Sequence, residues 1–229
     1  MFTKYIVASE EALPPIDPSC LFEYVLAGNG LFVRARRKEL EAMIPVVQCE
    51  VRGLKEVRPF VRMEYGRIPL NLTQVIWDEF KRDLPGESLV WLQLNEGRLS
   101  VIKPPQVRNE IAVHPLDPYD PNGKSAFMDI HSHNTMEPYF STDDDRDETG
   151  FRIFAVMGLL DKRPCVTARI GIYGYYWHLD AQSVFVLPEG LQDAVKAMLD
   201  LAAMSEEKED SDEFNPNCRA GIDECVRAA

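Results

Sequence analysis

The sequence predicts an α/β protein, in which helices flank a mixed β-sheet and a β-rich module comes first. Short apolar runs with the two-residue alternation of strands recur along most of the chain. The 3.6-residue period of an amphipathic helix replaces that alternation over residues 69–84 and 191–204. A hydrophobic fraction of 45% in 229 residues is enough for a buried core. The length fits one domain with additions, or two small domains.

Residues 1–67 are predicted to form the β-rich N-terminal module. Its first 20 residues contain three prolines and are expected to be an extended lead-in. The dipeptide Asn29-Gly30 tolerates positive φ and therefore predicts a hairpin between two strands. The predicted strands of the module are residues 21–26, 31–37, 44–51 and 57–65.

Residues 68–204 are predicted to form the main domain. Asn71 is expected to cap its first helix, because its side chain can accept a hydrogen bond from a free N–H of the first turn. The predicted helices are residues 69–84, 141–149 and 191–204. The predicted strands are residues 88–94, 98–102, 125–131, 151–160, 166–173, 175–179 and 184–187, with one short strand near 110–113 inside a proline-rich loop.

Composition narrows the classes of partner and the compartment. The net charge of −12 repels phosphate backbones, so nucleic acid is not an expected partner. No apolar run approaches the roughly 20 residues of a membrane-spanning helix, and the N-terminus does not read as a signal peptide. The five cysteines include no CxxC pair, so we expect a reduced, cytoplasmic protein. Residues 205–229 are acidic and are expected to be a disordered tail.

The chemistry is concentrated after the strand that ends near residue 131. Alternate side chains leave the same face of a strand, so His131 and His133 can point at one spot while Ser132 turns away. A pair of histidines with this spacing is weak evidence for a metal when it stands alone. The residues that follow the pair therefore decide its interpretation.

Ser141 and Asp144 follow the histidines at the start of the predicted short helix. A serine with an acid three residues later is also typical of a capping box, which needs no metal. Two imidazoles and one carboxylate leave the fourth position of a tetrahedral ion open, which is typical of a catalytic zinc site. Because Asp143 and Asp145 flank Asp144, the identity of the carboxylate ligand stays open by one residue.

The joint pattern His-x-His-x7-Ser-x-x-Asp resembles the motif of the JAMM (MPN+) zinc metalloproteases. The resemblance covers about residues 69–187, and the layout is most similar to the prokaryotic JAB proteins of the PRTRC system protein A type. It implies a JAMM/MPN fold of the cytidine-deaminase-like kind and a bacterial source. It also implies one Zn²⁺ held by His131, His133 and Asp144.

The same family has a glutamate at the start of the strand after its first helix, and Glu87 matches that place. Glu79 and Glu110 are rivals in the same region, although Glu79 falls within the predicted helix and Glu110 in a loop. The resemblance implies that Glu87 is the general base for a metal-activated water. Ser141 would donate a hydrogen bond to the developing oxyanion.

The resemblance also implies a substrate class. The expected enzyme is a metallopeptidase or isopeptidase that cleaves after the C-terminus of a ubiquitin-like protein, as deubiquitinases do. Expected partners are that protein or its conjugates, and E1- and E2-like proteins of the same system. Two alternatives stay open: a non-catalytic MPN scaffold that binds partners, and a zinc hydrolase that acts on small amides.

Overall fold

Two large β-sheets, a separate two-stranded sheet and four helices make up the part of the chain that the structure describes, so the broad prediction of a mixed α/β fold is confirmed. The computed structural model describes residues 3–196, and those up to Ala194 belong to one compact unit. Among the described residues, no helix is long and apolar enough to cross a membrane.

The first sheet contains five strands in chain order. β1 runs parallel to β2, and the other neighbours are antiparallel. At the predicted hairpin, Gly30 has a φ of +142°, and a Cβ there would collide with the carbonyl of Val47. The strands are β1 Thr3–Val7, β2 Phe22–Ala27, β3 Gly30–Arg36, β4 Leu40–Gln48 and β5 Phe60–Met63.

The second sheet follows and has the order β13-β12-β11-β10-β6-β7, with β14 beside β12. β10 lies between β6, to which it is antiparallel, and β11, to which it is parallel. β8 and β9 form a separate hairpin. The strands are β6 Leu89–Asn95, β7 Arg98–Ile102, β8 Gln106–Arg108, β9 Val113–Pro115, β10 Met128–Ser132, β11 Phe151–Gly158, β12 Cys165–Ile172, β13 Tyr175–Leu179 and β14 Gln192–Asp193. The helices are α1 Leu70–Asp83, α2 Pro121–Ser125, α3 Thr142–Asp147 and α4 Ala181–Val184.

The two faces of the central strand β10 differ in polarity. Met128 and Ile130 of β10 point into the main core, where α1 packs through residues such as Phe80. The alternate residues Asp129 and His131 leave the opposite face. The strand alternation therefore separates the core of the protein from the face that carries the candidate site.

The N-terminal sheet packs against the same core. Phe22 and Val33 belong to the cluster that also holds the core residues of the second sheet, and the hydroxyls of Tyr24 and Tyr175 lie 2.6 Å apart. The first sheet ends at Met63, before α1 begins. The predicted division of the chain at residue 67, with a separate main domain to residue 204, stays a prediction.

Four local predictions are wrong. Residues 1–20 are not only an extended lead-in, because β1 pairs with β2; parallel pairing is non-local and leaves no turn signal. Asn71 does not cap α1, whose N-cap is Pro69 without a side-chain hydrogen bond. Residues 184–187 are not a strand: α4 ends at Val184, and of the next three residues only Phe185 makes a β-bridge, a parallel one with Ile68. Near residues 110–113 there are two strands, β8 and β9, on either side of Glu110.

The end of the chain can be compared only in part. The predicted helix over residues 191–204 does not start at 191, because Gln192–Asp193 pair with β12 as β14. The rest of that helix and the predicted acidic tail, residues 205–229, lie outside the described residues.

Candidate metal centre

His131 and His133 lie at the end of the central strand β10 and are both buried. Their ring centroids are 5.1 Å apart. The backbone holds this end of the strand on both sides, because Ser132 N–H donates to Ser88 O and His133 N–H donates to Met157 O. The backbone that carries the two imidazoles is therefore held by both neighbouring strands or turns.

The partner of one ring nitrogen fixes the tautomer of His133. Its Nδ1 lies 3.0 Å from the carbonyl oxygen of Glu137, and only a protonated nitrogen can pair with a carbonyl. The proton therefore belongs on Nδ1, and Nε2 keeps a free lone pair. Histidines that bind metals usually donate their other N–H to a carbonyl or carboxylate in this way. The ring of Tyr139 packs edge-on against His133, with centroids 4.9 Å apart.

His131 has a buried nitrogen without a hydrogen-bond partner. Among the described residues no donor or acceptor pairs with its Nε2, which lies 3.5 Å from Asp144 Oδ1. Burial lowers the pKa of His131 to about 4, although the charge of Asp144 opposes the shift; burial also lowers the pKa of His133. Both imidazoles are thus neutral at neutral pH, the state that binds a metal. A buried polar atom without a partner calls for an explanation, and a bound cation supplies one.

The two carboxylate oxygens of Asp144 have different partners: Oδ2 caps α3, and Oδ1 faces His131. Oδ2 accepts hydrogen bonds from the N–H and the hydroxyl of Ser141, at 2.6 and 2.7 Å, and Ser141 Oγ accepts from Asp144 N–H at 3.1 Å. This is the predicted capping box, at the N-terminus of α3. Oδ1 is the oxygen that faces the Nε2 of His131. The capping box and a metal ligand are therefore compatible in one carboxylate.

The three side chains fit a small divalent cation. One ligand atom from each of His131, His133 and Asp144 lies within 4.8 Å of the other two. Zinc–nitrogen and zinc–oxygen bonds of about 2.1 Å place tetrahedral ligands roughly 3.4 Å apart, close to the 3.5 Å between His131 Nε2 and Asp144 Oδ1. Asp143 and Asp145 have other partners, Arg146 and Arg169. The structure thus brings Asp144, and neither neighbour, to the histidines.

Glu87 lies in the turn between α1 and β6 and is 4% exposed. Burial raises the pKa of its carboxyl to about 7, and the negative charge of Asp144 adds to the shift. Glu79 instead forms ion pairs with Lys103 and Arg82. Glu110 is exposed between β8 and β9. Of the three glutamates considered from the sequence, Glu87 is the one whose charge state is tied to Asp144.

Ser141 is beside the site, and its hydroxyl proton is already engaged. The hydroxyl donates to Asp144 Oδ2 and accepts from the N–H of the same residue. A hydrogen bond from Ser141 to an oxyanion requires that proton to leave Asp144. The role expected of Ser141 from the sequence stays a prediction.

A comparison of the chain with models of known protein families finds no match, and a comparison with curated proteins finds none.

Sequence reasoning missed the side chains that support the site. Arg169 of β12 donates hydrogen bonds to Asp145, within α3, and to Glu148, the C-cap of α3. The hydroxyl of Tyr176 donates to the backbone carbonyl oxygens of the same two residues. An arginine inside an otherwise apolar strand was the available signal, because such a charge needs buried partners. The other two histidines of the chain, His114 and His178, are both exposed.

Proposed function

We propose that the protein is a zinc-dependent hydrolase of the JAMM/MPN+ type. We further propose that it cleaves a peptide or isopeptide bond after the C-terminus of a ubiquitin-like protein. The observation that carries the proposal is the convergence of His131, His133 and Asp144, with the unpartnered Nε2 of His131 facing the carboxylate. The buried Glu87 next to them supplies the second element that hydrolysis needs, a base.

The three ligand side chains would hold the cation, and their neutral imidazoles and single carboxylate leave a position free. When bound, such a cation supplies the Lewis acidity that activates water near neutral pH and polarises a carbonyl. Glu87 takes the proton from the attacking water and later delivers it to the leaving amine. Burial raises the pKa of the Glu87 carboxyl above its usual value, which makes its carboxylate a stronger base for the first of these transfers.

The fold around the site supports the family assignment. The two histidines end a central strand, the acid follows at the start of a short helix, and the glutamate lies between the first long helix and the next strand. This is the order of elements that the resemblance to JAMM proteins implies. The complete ligand set favours an enzyme over a scaffold, since a protein that only binds partners needs no metal ligands.

The surroundings of the site support a polypeptide substrate. Ile111 is 75% exposed and lies in the turn of the β8–β9 hairpin. This hairpin is joined to the site by two hydrogen bonds, from Glu87 N–H to Asn109 O and from Asn134 Nδ2 to Glu110 O. Exposed apolar residues of this kind, with Tyr139 beside His133, are suited to an extended peptide and exceed what a small amide requires.

Two measurements test this proposal. The purified protein should contain close to one zinc ion per chain by elemental analysis, and His131→Ala should lose it, whereas His114→Ala should retain it because His114 is exposed and is not one of the three grouped ligands. Fusions of ubiquitin-like proteins should then be cleaved without chelator and left intact with it. Glu87→Gln should keep zinc and lose activity.

Each negative result has its own meaning. Absence of zinc from the unaltered protein, even after incubation with excess Zn²⁺, refutes the metal site and the enzyme together. Zinc without cleavage of any ubiquitin-like fusion, by a protein that binds such fusions, points to the scaffold. Cleavage of small amides alone refutes the substrate class.

A further inference from the structure

The ligand helix α3 lacks an apolar anchor of its own. It spans six residues, Thr142–Asp147, and none of them is buried. His131 and His133 are fixed by the sheet, whereas Asp144 is carried by this helix. The distance between the carboxylate and the imidazoles therefore depends on whatever attaches α3 to the sheet.

Arg169 makes that attachment through its charge. It is 4% exposed, on the polar face of β12. Its Nε and Nη2 donate to Glu148 Oε2 at 2.9 and 2.5 Å, and its Nη1 donates to Asp145 Oδ1 at 2.6 Å. Asp145 adjoins the ligand residue, and Glu148 is the C-cap of α3. One guanidinium thus binds the helix next to Asp144 and at its end.

Two aromatic rings complete the attachment. The guanidinium carbon of Arg169 lies 4.0 Å from the ring centre of Phe140 and 3.9 Å from that of Tyr176. Phe140 directly precedes Ser141, the N-cap of α3. The hydroxyl of Tyr176 donates to the carbonyl oxygens of Asp145 and Glu148, at 3.0 and 2.8 Å. The contacts that Arg169 and Tyr176 make with the segment around α3 fall on residues 140, 145 and 148, on either side of the Ser141–Asp144 capping box.

We propose that Arg169 is a positioning residue for the metal ligand Asp144. It sets the place of α3 over the sheet, and so brings Oδ1 of Asp144 within reach of the two histidines. The inference rests on the proposed function, because it assumes that these three side chains bind a cation. It adds a requirement that the motif does not contain: the ligand set is complete only while the guanidinium holds the helix.

The test measures metal affinity, which a purely structural arginine would not change. The variants Arg169→Met and Arg169→Lys are titrated with Zn²⁺ and with Co²⁺ in competition with a chelator. Arg169→Met should weaken binding about 10- to 100-fold, the usual effect of losing a residue that supports a ligand. The metal affinity of Arg169→Lys should lie between those of Arg169→Met and the parent, because lysine keeps the charge but loses the planar fork and the stacking.

The chain offers a matched control in its first sheet. Arg34 is 5% exposed and donates to Glu23 Oε2 from Nε at 2.7 Å, so it forms the same kind of buried pair. Neither Arg34 nor Glu23 contacts a proposed ligand. Arg34→Met should destabilise the fold and leave the affinity for both metals unchanged.

The visible spectrum of bound Co²⁺ supplies a readout of the ligand set itself. Its absorption is strong in four-coordinate sites and weak in six-coordinate ones, so the spectrum of Arg169→Met should approach that of Asp144→Ala. Parent-like affinity and spectrum in Arg169→Met would overturn the proposal. If Arg169→Met does not fold, Arg169→Lys decides: it keeps the charge and removes the planar fork that pairs with Glu148 and Asp145, and parent-like affinity in that variant rejects the proposal.

The outcomes separate this inference from the proposed function. If the unaltered protein binds neither Zn²⁺ nor Co²⁺, the metal site is refuted, and the role of Arg169 with it. If the unaltered protein and Arg169→Met bind both metals equally well, only the role of Arg169 is refuted.

Discussion

Ser132 and Ser88 are joined by two hydrogen bonds, each 2.9 Å long: Ser88 N–H donates to Ser132 Oγ, and Ser132 N–H donates to Ser88 O. Ser132 stands between the two histidines, and Ser88 directly follows Glu87. The strand that carries two proposed ligands is thereby fixed to the turn that carries the proposed base. Ser132, which faces away from the metal site, thus holds the histidine strand against the turn of Glu87.

Ser132→Ala should lower kcat more than it lowers metal binding. The change leaves the buried N–H of Ser88 without its acceptor, and a small displacement of Glu87 then reduces the rate by about 10- to 100-fold. Zinc content and KM should stay close to those of the parent, because the histidines do not move. Steady-state kinetics and elemental analysis check this.

Ser100→Ala is the control for that variant. Ser100 lies on β7 of the same sheet, and its buried hydroxyl has no hydrogen-bond partner among residues 3–196. Removing it should leave kcat unchanged. A Ser132→Ala enzyme with full kcat would show that the serine pair does not hold the base.

Glu87→Gln should stabilise the metal-free protein at alkaline pH. The pKa of Glu87 is raised from 4.5 to about 7 on folding, so its stabilising contribution is fully present below pH 4.5 and is lost as the pH rises through 7. Glutamine does not ionise and avoids this loss. In the presence of chelator, the urea midpoint of the variant should therefore exceed that of the parent at pH 8, and the difference should vanish at pH 4.5.

Glu79→Gln serves as the comparison for the pH experiment. It removes ion pairs with Lys103 and Arg82, so it should lower the urea midpoint at pH 8 slightly or leave it unchanged. Equal midpoints for Glu87→Gln and the parent at pH 8 would mean that the Glu87 carboxylate is well solvated. Added Zn²⁺ should reduce the difference between the urea midpoints of Glu87→Gln and the parent at pH 8, because a nearby cation favours the ionised carboxylate.

Ile111→Asp should raise KM for a ubiquitin-like fusion without changing zinc content. The side chain is exposed on the hairpin beside the site, and a charge there disfavours contact with an apolar peptide segment. An increase of about tenfold is expected, corresponding to the roughly 1.4 kcal/mol of one well-buried aliphatic contact. Val47→Asp, at an exposed apolar position of the first sheet, should leave KM unaltered. Equal KM values in all three proteins would exclude the hairpin from the substrate site.

Arg37→Ala should lower the free energy of unfolding by about 1.5–3 kcal/mol, the range for hydrogen bonds of a charged group. Arg37 follows β3 of the first sheet and donates to the carbonyl oxygens of Ala126 and Ser125 at 2.9 and 2.8 Å, which precede the histidine strand. Arg36→Ala removes a neighbouring exposed arginine and should cost no more than about 0.5 kcal/mol. Urea unfolding measures both, and equal losses would show that Arg37 does not link the two sheets.

Local patterns predicted the parts of the site that are local in sequence. The two-residue alternation of a strand places His131 and His133 on one face, and the capping box places Ser141 and Asp144 in the first turn of α3. That Asp144 divides its two oxygens between the cap and His131 could not be read from the spacing, because the spacing describes residues and not atoms. The two interpretations of the sequence were therefore not alternatives.

The features that the sequence patterns did not predict depend on contacts between residues distant in sequence. Arg169 meets Glu148 across 21 positions of the sequence, and no pattern within a single element connects them. The pairing of β1 with β2 was missed for the same reason. The apolar residues at 184–187 were predicted to be a strand because a short apolar run is typical of a buried strand. In the structure α4 takes Val184, and the pairing that follows is a single bridge between Phe185 and Ile68, a contact that the local sequence does not reveal.

The separate partners of the two Asp144 oxygens affect how the site binds an ion. Because hydrogen bonds to Ser141 already order the start of α3, the binding of an ion should require little further ordering of this helix. Chelators should accordingly strip the ion and leave a native, reloadable apoprotein, unlike zinc fingers, which unravel when their metal is withdrawn.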